Sequence, residues 1–459
     1  MSGIGDIVIP LRTETIHNVL PAESLNNLFK DIDKLPQNPG MAENNYNSGH
    51  QDSYCSESVG LTGPTSNKLR LIVQYNPYGF TPVMTCNRKN QMIAVSVGLG
   101  VGIFRLIVFN SECEILSATI VGRLNSIQNY AGGYFFLNND DNAVVVSNNE
   151  LVCYPTAHVR QKDEVYSLEP IWKSDDLVKL IIGHKHVIDD AENILYAAMP
   201  VWEKPGPNPI FWVVLAGEYD FDTSTLKSNA YIAVVQIIIE RHGSRTKLID
   251  SLELKGQWNN NTVAVSPQGI FFVTNGCDTT GACTGGYLYS IGFDAGAGKL
   301  KINWKSSYKN SGFLKPGQGN IGSGTTPTLF DGPDGKEYVA ITDNAYPRMN
   351  VVVYERGDGK IISEVPVFPK MRGCDEASLI GVNGRVVVEN NFGHIVNFPH
   401  SQYVANEPGI SLIQVDKKDS SEVIRNNDHA CTSQSLVCPS WGSGNGGNGK
   451  RKRKAETEN

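Results

Sequence analysis

The residues best placed to do chemistry fall at the ends of short β-branched runs. VVVSNN (Val144–Asn149), FVTNG (Phe272–Gly276), AITDN (Ala340–Asn344) and VVENN (Val387–Asn391) each close an apolar stretch on amides or an acid. Three further polar stretches, WNNN (Trp258–Asn261), GSGTT (Gly322–Thr326) and CDEAS (Cys374–Ser378), stand just ahead of apolar runs. Carboxylate and amide oxygens gathered from several such places form the donor set that a hard cation such as Ca²⁺ needs. A cation held there would polarise a carbonyl or lactone oxygen, with a carboxylate as base. Asp343 and Glu389 are the candidate catalytic residues, because each directly follows a β-branched or aliphatic run and precedes an Asn. The candidate metal ligands are Asn261, Asn275, Asp343, Asn344, Glu389 and Asn390. The competing explanation is that Asn, Asp and Gly end strands because turns require them.

The elements that must position these residues are legible from Gly319 to Val367. TPTLF, EYVAITDN, MNVVVYER and KIISEVPV read as four strands, with DGPDGK and GDGK as turns. Runs of β-branched residues bounded by Asp-Gly are hairpin signals. Weaker copies begin at Thr81, Gly132, Lys185, Asn261 and Ala377, making six recognisable units with uneven spacing. Each copy carries an apolar strand, a polar turn and a β-branched strand. A recurring four-strand unit of roughly 40–50 residues is one propeller blade. The expected fold is all-β: a single β-propeller of about six to eight four-stranded blades. In a blade the innermost strand comes first. Loops joining strands two and three therefore open on the same face as loops leading into strand one, and the polar stretches should meet at one channel mouth.

The chain has 459 residues, enough for one large ring, with 40% hydrophobic and 19% charged residues. Its net charge of -7 argues against a general nucleic-acid binder, which needs a basic footprint. Ile93–Phe109 is the most apolar stretch, but it carries Arg105 and three glycines, so two buried strands joined by a Gly loop are expected rather than a transmembrane segment. The nine cysteines (Cys55, Cys86, Cys113, Cys153, Cys277, Cys283, Cys374, Cys431 and Cys438) include no CxxC pair, which argues against structural zinc. Cys277 with Cys283, and Cys431 with Cys438, are close enough in sequence to pair. The alternative is that most cysteines are small buried hydrophobes in a reducing compartment.

Residues 1–45 read as an N-terminal arm with a short helix over Ala22–Ile32, 46–425 as the propeller, 426–439 as an exit segment and 440–459 as a disordered basic tail. Lys450–Lys454 could serve as a nuclear-localisation signal or be an uninformative charged tail. No signal peptide is evident at the start, so cytosol or nucleus is expected, with secretion as the alternative. His184 and His186, followed by Asp189 and Asp190, could hold a transition metal, but the third ligand is not identifiable and a surface strand end is the competing reading. His50-Gln-Asp52-Ser-Tyr54 is a polar cluster ahead of the ring that could fold over its mouth. There is no GxSxG elbow, P-loop or GxGxxG.

TPTLFDGPDGKEYVAI and YERGDGKII resemble the repeats of quinoprotein-dehydrogenase-like propellers. NNNTVAVSPQGIFFVTN is similar to a unit of the gluconolactonase, paraoxonase and strictosidine-synthase-like propellers. The second resemblance implies calcium, held in part by Asn260 or Asn261, while the closing Asp of that unit is Asn275 here. The first does not extend to the quinone: adjacent cysteines and the repeated docking motif are missing, with KLKINW (Lys299–Trp304) a single echo. Pyrroloquinoline quinone (PQQ) is therefore not expected. The leading function is a calcium-dependent hydrolase or lyase acting on a small-molecule substrate at the channel mouth. The alternative is a non-catalytic scaffold for a protein or glycan partner, and a quinoprotein-like oxidoreductase ranks third.

Overall fold

A computed structural model of the chain describes residues 36–43, 47–59, 74–98, 102–123, 134–183, 193–259, 261–277, 281–332, 335–394, 404–415, 421–427 and 438–439. The candidate helix over Ala22–Ile32, the His184 and His186 pair, Asn260, Cys431 and the basic run lie outside them.

Among the described residues six antiparallel sheets of four strands or more follow one another along the chain, each with its strands in sequence order. Blade 1 comprises Phe80–Cys86, Met92–Gly98, Ile103–Phe109 and Ile115–Arg123. Blade 2 comprises Phe135–Leu137, Ala143–Ser147, Glu150–Tyr154 and Trp172–Lys173. Blade 3 comprises Ile194–Pro200, Ile210–Ala216, Ala230–Glu240 and Gly243–Leu254. In blade 4 the first strand is split into Gln257–Trp258 and Ala264–Ser266, followed by Gly269–Gly276, Gly285–Asp294 and Lys299–Lys309. Blade 5 comprises Thr328–Asp331, Glu337–Thr342, Asn350–Glu355 and Ile361–Pro366, and blade 6 comprises Ile380–Val382, Arg385–Glu389, Ile410–Val415 and Ser421–Asn427. The fold is the all-β propeller read from the repeats. Ile93–Phe109 forms two paired strands, and among the described residues no helix is long and apolar enough to cross a membrane.

Local sequence explains the hairpins. Asn383 and Gly384 stand at φ 46° and 70°, the two left-handed positions of a tight turn, so Ile380–Val382 pairs directly with Arg385–Glu389. The unit beginning at Lys185 differs from its expected reading. ILYAAMP is the first strand of blade 3 rather than the second, because the buried run IFWVVLA after the Pro-rich loop takes the second place.

Apolar side chains fill the seams between neighbouring blades. Val95, Leu106, Phe135 and Val145 join blades 1 and 2. Phe136, Phe211, Trp212 and Phe272 run through blades 2, 3 and 4. Phe271, Leu329 and Val339 join blades 4 and 5, and Phe330, Val353, Val386 and Ile413 join blades 5 and 6.

The stretches 38–43 and 47–58 cross the inside of this arrangement. The carbonyls of Asn47, Ser53, Tyr54 and Ser56 accept the backbone N–H groups of Leu137, Val265, Leu329 and Gly381. Those four donors sit on the first strands of blades 2, 4, 5 and 6, so the first strand is the innermost one in these blades. Met41, Ala42, Tyr54 and Cys55 enter the seam clusters from this inner side. The Tyr54 ring lies against the buried Arg356 guanidinium, 4.9 Å from its centroid, and against Trp202. Truncating a buried aromatic costs about 3–5 kcal/mol. Tyr54→Ala should lower unfolding stability by about 3 kcal/mol, whereas Tyr75→Ala, at an 85% exposed position, should change it by less than about 0.5 kcal/mol. Denaturant titration of both variants checks this.

Candidate functional site

The ends of the second strands and the loops leading into the first strands do meet, in blades 4, 5 and 6. Asn261 donates to the carbonyls of Ser323 and Thr325 at 3.3 and 3.4 Å. The Asn275 side-chain oxygen accepts the Tyr308 hydroxyl at 2.9 Å and packs on Gly322, where a Cβ would come within 1.7 Å of it. Asn344, at φ 52°, donates to Gly322 and Asp375 carbonyls and accepts the Asp375 N–H, tying blade 5 to the loop before blade 6. Asn390 accepts the N–H groups of Cys374 and Phe392 and donates to Arg372. Asp343 accepts the N–H groups of Ala345 and Asn350 and the Asn350 side-chain amide, which makes it the cap of its own turn. Glu389 is buried and accepts the Asn391 amide at 3.1 Å. These bonds already engage the oxygens of Asn275, Asp343, Asn344 and Asn390. Among the described residues no group of three or more His, Cys, Asp or Glu is placed to hold one metal ion.

Beside these stitches lies a second set of groups. Glu376 is partly accessible as a residue, but its carboxyl is enclosed by protein. Its carboxylate rests on Gly324, where a Cβ would meet all three carboxyl atoms at 2.4–2.6 Å. Its backbone N–H donates to Asn391, and its side chain accepts the Gly319 N–H. The other carboxyl oxygen finds no hydrogen-bond partner among the described residues. Burial pushes the Glu376 carboxyl up to about 8, against the pull of the Gly319 N–H and the Lys315 charge. Lys315 is buried, donates to the carbonyls of Gly373 (2.7 Å) and Ala345 (3.3 Å), and has its pKa lowered by burial. Neighbouring Asp375 is held well above the usual carboxylate range, first by burial and then by the charge of Glu389.

His50 reaches the same interior from the crossing segment. Its Nδ1 pairs with the Glu57 carboxylate, and its Nε2 lies 3.2 Å from the Thr326 hydroxyl. The ring packs against Tyr134 with centroids 5.2 Å apart, and the Tyr134 hydroxyl also bonds Thr326. Burial raises the Glu57 pKa, opposed by the charge and hydrogen bond of His50. Burial likewise raises the Tyr134 pKa, with Glu57 and Glu376 adding to the rise, which keeps the phenol a neutral donor. The polar stretches CDEAS and GSGTT and the His50 cluster contain Glu376, Thr326 and His50. Tyr134 and Lys315 carry no signal in sequence, because contacts between distant residues bring them here, and Glu57 joins His50 through a turn of the crossing segment. Cys277 and Cys283 are joined as a disulfide, whereas Cys55, Cys113, Cys153 and Cys374 are not disulfide-bonded.

No family model matches the chain, and no curated protein matches it. Among solved structures it is similar to the WD40 domain of SCAP from fission yeast (14% identity, covering 77% of this chain and 70% of that one, TM-score 0.36). It is also similar to the Nup133 β-propeller domain of Vanderwaltozyma polyspora (9% identity, 71% and 84% covered, TM-score 0.39). A third is the calcium-binding protein regucalcin from Agrobacterium tumefaciens (12% identity, 70% and 85% covered, TM-score 0.32).

The buried carboxyls set a pH dependence. Asp52 is pushed to about 7, Asp343 to about 6 and Glu376 to about 8, in each case mainly by burial. A raised folded pKa means that the native state binds more protons than the unfolded chain. The associated stability is complete below the ordinary value, near 4, and is lost as pH rises through the folded value. The melting temperature should therefore fall between pH 5 and about pH 8.5, and Glu376→Gln should flatten the upper part of that fall. Calorimetry across this range measures both.

Proposed function

We propose that the chain is a hydrolase or lyase that acts on a small polar substrate at Glu376, beside the loop from Gly317 to Thr326. The observation that carries this reading is Glu376: a carboxyl kept protonated near neutral pH, seated on bare glycine backbone, with one oxygen unpartnered among the described residues. Such a group is suited to hydrogen-bond the carbonyl oxygen of an ester or lactone and to give it a proton as negative charge develops there. Lys315, electrostatically coupled to it, would steady the carboxylate once that proton has gone. The sequence reading gives catalytic work to Asp343 and Glu389 and calcium to the ring of Asn, Asp and Glu. For calcium to bind, the oxygens of Asn275, Asp343, Asn344 and Asn390 would have to release the donors they now accept.

A panel of esters and lactones tests this reading. We expect turnover that falls as pH rises through about 8, and a loss of about 100-fold in Glu376→Gln at pH 7. EDTA and calcium should leave both rates unchanged. A Gln variant as active as the parent, or no turnover on the whole panel, would contradict the assignment.

A binding role is favoured by a different feature. Phe313 and Tyr346 are stacked edge to face at 5.4 Å and exposed, and Met371, whose N–H bonds Pro347, is 59% exposed beside them. This apolar patch borders the loops that carry Lys315 and Cys374. If it docks a protein or glycan, the double variant Phe313→Ser, Tyr346→Ser should abolish capture while leaving the unfolding midpoint in place.

A further inference from the structure

We propose that Thr326 is an activated nucleophile, and that Glu57, His50 and Thr326 form a carboxylate–imidazole–hydroxyl relay for acyl transfer. This deepens the hydrolase reading and rests on it. The geometry has three parts. The Glu57 carboxylate engages His50 Nδ1, which fixes the ring and places the proton on that nitrogen. His50 Nε2 then faces the Thr326 Oγ1 at 3.2 Å as the acceptor of its proton. The Tyr134 hydroxyl bonds the same Thr326 oxygen and stays protonated because it is buried. Nucleophile, base and orienting acid are thus in contact in series through His50, although Thr326 lies 276 residues from His50. Three residues with separate structural tasks would not need this order of contacts. Asp52, five residues before Glu57, does the work of holding the crossing segment, by accepting the N–H groups of Tyr54 and Ser56.

The reaction balances without any further reagent. The Thr326 hydroxyl passes its proton to His50 Nε2 as Oγ1 bonds the carbonyl carbon of an ester or lactone. The carbon–alkoxide bond breaks and the alkoxide takes the proton from His50, leaving an acyl-Thr326 and an alcohol. Water then gives a proton to His50 and its oxygen attacks the acyl carbon. Thr326 departs with that proton, and a carboxylic acid is released. The room around the hydroxyl limits the substrate: Thr326 is 1% exposed and the His50 side chain 12%. The acyl group must therefore be compact.

The experiment uses the full chain with p-nitrophenyl acetate, reading the released nitrophenol and, after a rapid quench, the acetylated peptide by mass spectrometry. We expect an initial burst and one acetyl group per chain on Thr326. The adduct should be absent in Thr326→Val, retained in Thr326→Ser, and formed about 100-fold more slowly in His50→Gln and Glu57→Gln. Unfolding midpoints of all variants accompany the kinetics, and the Ser variant reports on the relay even if the Val variant is unstable. An acetyl group on another residue, or continued hydrolysis with no adduct, overturns the relay and leaves the Glu376 reading standing. An adduct on Thr326 with no turnover and no effect of Glu376→Gln sustains the relay and overturns the assignment of Glu376. Neither adduct nor hydrolysis overturns both.

Discussion

The innermost strand of a blade has one neighbour in its own sheet, so its other edge presents backbone N–H groups to the centre of the ring. A buried donor left unpaired costs about 1–3 kcal/mol, and a free strand edge invites other chains. Here the donors of Leu137, Val265, Leu329 and Gly381 are met by carbonyls of a single crossing segment. Much else follows from that pairing. To reach blades on opposite sides, the segment turns sharply, with Gln51, Cys55 and Glu57 at φ 72°, 51° and 53°. Left-handed backbone costs roughly 1–2 kcal/mol at a residue with a side chain. The Asp52 carboxylate, accepting from Tyr54 and Ser56, holds the turn, and Tyr54 anchors it in the seam between blades 4 and 5. The same turn brings His50 and Glu57 together and sets them against Thr326, one residue ahead of Pro327 and the first strand of blade 5.

Two carboxylates in the same interior show how hydrogen bonding divides structure from chemistry. Asp343 accepts from two backbone N–H groups and one amide, which hold its pKa to about 6 despite burial. Glu376 receives one backbone N–H and stands near 8. The first is a cap whose oxygens are engaged; the second keeps an unengaged oxygen among the described residues and a proton at neutral pH. Glycine makes the difference sterically: Gly324 lets the Glu376 carboxyl sit directly on backbone, and Gly322 does the same for Asn275.

The fold was readable because blades are local. Asp-Gly and Asn-Gly turns between β-branched runs act over a few residues, and VNGR between Ile380–Val382 and Arg385–Glu389 forms the tight hairpin its sequence calls for. The meeting of strand ends and lead-in loops was readable too, since it follows from strand order. What the meeting does was harder to read. Asn344 and Asn390 look like ligands in sequence, but an Asx side chain that can bind a cation can equally bind a neighbouring backbone, and here the backbone is closer. The crossing segment left almost no trace, because it pairs through main-chain carbonyls that every residue carries. His50 was visible as a polar cluster, but Glu57 gains its meaning from the turn that returns it to His50, and Tyr134 from contacts across the ring.

The claim on which the site depends is that the segment from Asn47 to Ser58 is built into the ring rather than draped over it. Hydrogen exchange of the native chain, resolved to peptides covering Leu137, Val265, Leu329 and Gly381, addresses this directly. The account predicts that these four amides exchange as slowly as those of the central strands Ile210–Ala216 and Glu337–Thr342. Fast exchange at all four, typical of an open strand edge, would contradict it and would remove His50 and Glu57 from the site.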